Sequence, residues 1–153
     1  MDRILVKNIT ILSLILGLIL GVLAPIPIVG MIMLFLLLLG SAPLVMIYLI
    51  MDGKLELTTT KDSILNGALS GFMTNITFAI AYCIIMVILS KCFHYTPNFF
   101  LTAMIENSPI WLLGTFIIFL GILCATTNAF AGFATYYIIN LIRDIYENKH
   151  KND

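Results

Sequence analysis

Polar and apolar residues in this chain do not alternate; the apolar ones come in long unbroken runs. No charged residue lies between Asn8 and Met51, between Ser63 and Ser90, or between Asn107 and Ile142. A helix needs about 20 residues to cross the roughly 30 Å of hydrocarbon in a bilayer. The first run is too long for one crossing and suits two. Ala24-Pro25-Ile26-Pro27 divides it, because the two prolines lack backbone donors and push the residues before them out of helical geometry. The pattern predicts an all-α integral membrane protein, a single membrane domain of four transmembrane helices. The spans are expected at about 9–24, 28–51, 61–90 and 109–142. Pro43 falls inside the second span and is expected to kink it.

The connections carry their own signals. Asp52-Gly53 reads as a turn that ends the second helix. Thr59 with Asp62 resembles a capping box and predicts a helix start near Thr60. Residues 91–108 form the longest predicted loop. Thr96-Pro97 reads as a helix start within it, and Phe99, Phe100, Leu101, Met104 and Ile105 suggest a short helix lying in the membrane interface. Ser108-Pro109 marks the next start, with Trp111 at headgroup level. Residues 143–153 form a charged tail, with helical character expected to about Glu147. Arg3 and Lys7 precede the first run as they would a signal peptide. No small-residue cleavage pattern follows, so a retained span is expected.

Composition sharpens this picture. The chain is 61% hydrophobic and only 10% charged, where a soluble domain carries about a quarter of its residues as charges. Eight basic residues balance eight acidic ones without forming a basic stripe, which argues against a nucleic-acid partner. With four spans, Arg3, Lys7, Lys54, Lys61, Arg143, Lys149 and Lys151 fall on one side and Lys91 on the other. The positive-inside rule then puts both termini in the cytoplasm. The short loops suggest a bacterial plasma (inner) membrane.

Small residues form stripes within the apolar runs. In lipid such stripes let helix backbones approach closely. The packing candidates are Ser13, Gly17 and Gly21 on the first span; Ser63, Gly67, Ser70 and Gly71 on the third; and Gly121, Ala125 and Gly132 on the fourth. The Ser-Gly-Gly pattern of the first span recurs in the third, fifty residues on. Gly40, Ala42, Ile47, Leu49, Ile50 and Asp52 likewise match Gly132, Ala134, Ile139, Leu141, Ile142 and Asp144. Two tandem helical hairpins would explain both matches. Asn66, Thr74, Asn75 and Asn128 are the polar candidates, as a polar path or as interhelical hydrogen bonds. Asn75 and Asn128 both sit about 20 Å above the cytoplasmic charges, which places them to bond each other.

Reactive chemistry is sparse. Cys83, Cys92 and Cys124 show no metal or disulfide spacing, and no cofactor motif occurs. His94 and Glu106 stand in the long loop without a positioned nucleophile, so neither is assigned a catalytic role. Small multidrug transporters share this size and span number. They depend on a carboxylate in the first span, where this chain has only apolar and small residues. The expectation is a non-enzymatic protein that works by helix packing in the bilayer, as an accessory subunit of a membrane-protein partner or as a homo-oligomer. Two alternatives are a small channel or carrier for neutral or apolar solutes, and a holin-like pore former.

Overall fold

The structure is a computed structural model that describes the backbone of residues 3–55 and 59–151 and the side chains as far as residue 146. The middle of the 52–62 connection and the side chains of Lys149, His150 and Lys151 lie outside the described residues. All regular structure within them is helical. α1 spans Arg3–Leu23, α2 Val29–Phe35 and α3 Ser41–Met51, with a π-helical turn at Leu36–Gly40 joining α2 to α3. α4 spans Thr60–Phe93, α5 Phe99–Asn107 and α6 Ile110–Lys151. Among the described residues, four helical segments are long and apolar enough to cross a membrane: α1, the composite α2–π–α3, α4 and α6.

Local chemistry accounts for the helix ends. Thr59 Oγ1 accepts a hydrogen bond from the Asp62 amide at 3.2 Å and so caps the start of α4. Gly53 adopts φ +67°, and the Lys54 amide turns back to the Leu49 carbonyl at 2.9 Å, closing α3. α4 ends at His94, which takes a left-handed conformation (φ 52°). α5 begins later than Thr96-Pro97 suggests. Asn98 is its cap, accepting from the Leu101 amide at 3.1 Å, and Pro97 stays outside the helix. A side chain that can satisfy an open helical amide outcompetes a proline that only presets φ. Glu106 accepts from Ser90 at 2.8 Å and pairs with Lys91 at 3.6 Å, so this loop carboxylate moors α5 to the end of α4.

α4 is the central helix and packs on α1 along one side and α6 along another. The α1 contact is parallel. Ser13 donates to Ser70 at 3.1 Å, Gly17 lies against the Thr74 carbonyl, and Gly21 lies against that of Phe78. The α6 contact is antiparallel, with Ser63 facing Gly132, Gly67 facing Asn128, and Gly71 facing Cys124. At each step a glycine of one helix meets a backbone carbonyl of the other. A Cβ at Gly71 would stand 2.5 Å from the Cys124 carbonyl oxygen, and one at Gly132 would stand 2.6 Å from that of Ser63. Real Cβ atoms do not come so close, so these helices meet at this distance only because the side chains are absent.

The outside is as apolar as the runs suggest. Ile15, Leu18, Ile80, Ile84, Ile118, Phe119 and Ile122 are exposed, while Ser13, Ser63, Ser70 and Asn128 have no exposed surface at all.

Gly67 and Gly114 provide a matched pair for testing the close approach. A Cβ at Gly67 collides with the Asn128 carbonyl, whereas one at Gly114 meets nothing within 4 Å. Gly67→Ala should lower thermal stability in mild detergent by about 1–3 kcal/mol through overpacking. Gly114→Ala should leave it unchanged or raise it by up to about 1 kcal/mol through helix propensity. Equal melting of the two variants would mean that the contact is not tight.

Candidate functional site

The candidate site begins where the second long helix is broken. Pro43 has no amide hydrogen to offer the Leu39 carbonyl. The π turn just before it shifts the hydrogen-bond register. The Ala42 amide and the Leu38 carbonyl would bond each other in an unbroken α-helix. Here both bond the Asn128 side chain. Asn128 Oδ1 accepts from the Ala42 amide at 2.9 Å, and its Nδ2 donates to the Leu37 and Leu38 carbonyls, each at 3.0 Å. Nδ2 also reaches the Cys124 carbonyl of its own helix at 3.0 Å. One carboxamide thus closes the gap in a neighbouring helix.

Serines complete the repair. Ser41 Oγ donates to the Leu37 carbonyl at 2.8 Å, and Ser70 Oγ reaches the Ser41 carbonyl at 3.4 Å. Since Ser70 also accepts from Ser13, a buried polar chain links α1, α4 and the broken helix. Gly71 makes room for it. A Cβ there would stand 2.6 Å from Asn128 Cβ and 2.9 Å from its Nδ2.

Asn75 and Asn128 do not bond each other. Asn75 Nδ2 donates to the Ile117 carbonyl at 3.1 Å, and its Oδ1 accepts from Cys124 Sγ at 3.6 Å. The helix register explains this. α6 passes Ser63 at Gly132, so its Arg143 end extends roughly 15 Å further than a shared charge level implies. Asn75 therefore stands level with Gly121, where a Cβ would lie 3.4 Å from its Nδ2. Asn66 and Thr74 are fully buried, and neither side chain has a hydrogen-bond partner. Of the packing candidates, Ser13, Gly17, Gly21, Ser63, Gly67, Ser70, Gly71, Gly121 and Gly132 are buried, and Ala125 is half-buried.

Beside the break the helices part and leave a cavity of about 780 Å³. α2 forms one wall with Met31 and Leu34, and α6 forms the other with Leu113, Phe116 and Leu120. Phe78 and Tyr82 of α4, with rings stacked 5.8 Å apart, form the back. Leu101 and Met104 of α5 close the end nearest the Pro25–Pro27 turn. Asn75 and Cys124 reach the lining, where Asn75, Tyr82 and Asn98 supply the polar groups amid apolar side chains. Among the described residues, no Asp, Glu, Lys, Arg or His lines the cavity. Nothing in the periodicity of the sequence marks this space. Among the described residues, no group of three His, Cys, Asp or Glu side chains is placed to hold a metal ion, and the three cysteines are free.

No protein-family model, curated protein or solved structure matches the chain.

The two buried amides should behave differently when removed. Asn128→Val removes the side-chain partner of both the Ala42 amide and the Leu38 carbonyl, and a buried polar group left unmet costs about 1–3 kcal/mol. Asn66→Val breaks no hydrogen bond. Chemical denaturation of the two variants in detergent micelles should show Asn128→Val to be the less stable by at least about 2 kcal/mol. Equal stabilities would remove Asn128 from its bridging role.

Proposed function

We propose that this chain is a multi-pass membrane protein that binds, and acts as a carrier for, a neutral and largely apolar molecule dissolved in the bilayer. The observation that carries this reading is the cavity. Its volume of about 780 Å³ falls within the roughly 300–1,000 Å³ of small-molecule sites. Its lining offers apolar surface and a few uncharged polar groups, which suit a ligand without charge.

Insertion in a bilayer is supported by the inverted exterior. A soluble protein rarely exposes a continuous apolar surface larger than a few hundred Å². Here isoleucine, leucine and phenylalanine cover the outside of all the long helices. The distribution of Lys and Arg supports an orientation with both termini in the cytoplasm and the α5 end outside. Short loops favour a bacterial plasma membrane. A tandem pair of hairpins would account for the matching small-residue stripes, although the α1 stripe faces α4 and the matching α4 stripe faces α6.

The small residues are also what favours an accessory subunit or a homo-oligomer. Gly17, Gly21, Gly67, Gly71 and Gly132 all meet neighbours within their own chain, so they present no small-residue face to a partner. Asn128 has its donors and its acceptor occupied, which leaves it little capacity to line an aqueous pore. The carrier reading needs neither a partner nor water.

Native mass spectrometry of protein gently extracted from its own membrane tests the proposal. We expect a retained small molecule or lipid, lost when Leu34→Trp fills the cavity. A second polypeptide at fixed stoichiometry, with no small molecule bound, would return the accessory-subunit reading.

A further inference from the structure

We infer that α2 is a lateral gate to the cavity, hinged at the π turn and latched by the Asn128 carboxamide. This inference rests on the proposed function for what passes the gate, and on the break in the second long helix for the gate itself.

α2 differs from every other helix in the bundle. None of its residues is buried. It packs on α1 and on its own π turn, and it walls the cavity opposite α6. Both of its ends are irregular. At the start, Ile28 holds φ 71° and ψ −52°. A β-branched side chain is strongly disfavoured at positive φ, so this junction stores strain that a change of backbone angle would relieve. At the other end lies the π turn, where the helical hydrogen-bond register shifts and the Asn128 side chain bonds the backbone. A short, exposed segment between two weak junctions can swing as a unit while α3 stays fixed in the core through Ala42, Val45, Met46 and Leu49.

Asn128 gives the hinge two states. In the state observed, its carboxamide bonds both the Ala42 amide and the Leu38 carbonyl. In the other, those two groups bond each other as in a regular helix, and Asn128 is released from both. The exchange keeps the backbone groups satisfied throughout, which a segment surrounded by hydrocarbon requires. Straightening the helix re-aims α2 and changes the width of the opening between Met31 and Leu34 on one side and Leu113 and Phe116 on the other. A molecule dissolved in the bilayer reaches the cavity through this gap without crossing an aqueous mouth.

Spin-label distance measurements on the full chain in lipid nanodiscs test the gate. Labels at Ile32→Cys and Phe119→Cys, both exposed positions, report the α2–α6 separation in a Cys83→Ala, Cys92→Ser background. Labels at Ile15→Cys and Ile80→Cys report α1–α4 as a control. Asn128→Val should displace or broaden the α2–α6 distribution and leave the control unchanged. Ser41→Ala, which removes the hydroxyl shared between the Leu36 and Leu37 carbonyls at the hinge, should produce a smaller shift in the same pair, and it serves if Asn128→Val fails to fold. An unmoved α2–α6 distribution in a folded hinge variant would overturn the gate, even if mass spectrometry finds a bound molecule. A displaced distribution with no molecule retained would uphold the gate and remove the carrier reading.

Discussion

A helix broken inside an apolar environment must have its freed backbone groups satisfied from within the protein, and this constraint organises the bundle. Water would solvate an open amide or carbonyl, but hydrocarbon cannot. The second long helix is broken by Pro43 and the π turn, and the Asn128 carboxamide supplies both the acceptor and the donor that the break requires. For this to happen, α6 has to bring Asn128 within hydrogen-bond distance of a helix that is remote in sequence. Gly71 allows it, because any side chain there would occupy the space that Asn128 uses. The glycine contacts between α4 and α6, the amide bridge and the break in the second helix therefore form a single dependency. The cavity lies beside the break, between α2 and α6.

The interior follows a logic opposite to that of a soluble bundle. About half of its buried positions are held by serine, threonine, asparagine and glycine, beside apolar residues such as Ile9, Leu20, Met46, Leu49 and Phe78, while many leucine, isoleucine and phenylalanine side chains face outward. In the bilayer proposed for this chain, burying an apolar side chain would gain little. Cohesion comes instead from close backbone contact and from hydrogen bonds that find no competitor. Asn66 and Thr74 are the exceptions, buried without a partner. They lie on the face of α4 that also carries Ser70, and packing there has won over polar satisfaction.

Much of this was legible in the sequence, and the particular residues show why. The serine and glycine steps on the third charge-free helix announce its buried side. Thr59 with Asp62 announces its start, and Gly53 announces the end of the helix before it. What the stripe conceals is that α4 has two packing sides, one through Ser70 and Thr74 to α1 and another through Gly67 and Gly71 to α6. Small residues do not name their partners. Helix register was also hidden, because the charges at the ends of α4 and α6 do not lie level. Asn128 could therefore be matched with Asn75 by depth while its true partners lay on the second helix. The π turn runs through Leu36–Leu39, a stretch with no polar periodicity, and only Pro43 and Ser41 nearby hint at it.

The most direct test of this account is a solid-state NMR distance in bilayers between the Asn128 side-chain nitrogen and the Leu38 carbonyl carbon, both isotopically labelled. The account predicts strong dipolar coupling, as expected for Nδ2 lying 3.0 Å from the carbonyl oxygen. Absence of coupling, with the Ala42 amide bonded to the Leu38 carbonyl as in a regular helix throughout the sample, would contradict it.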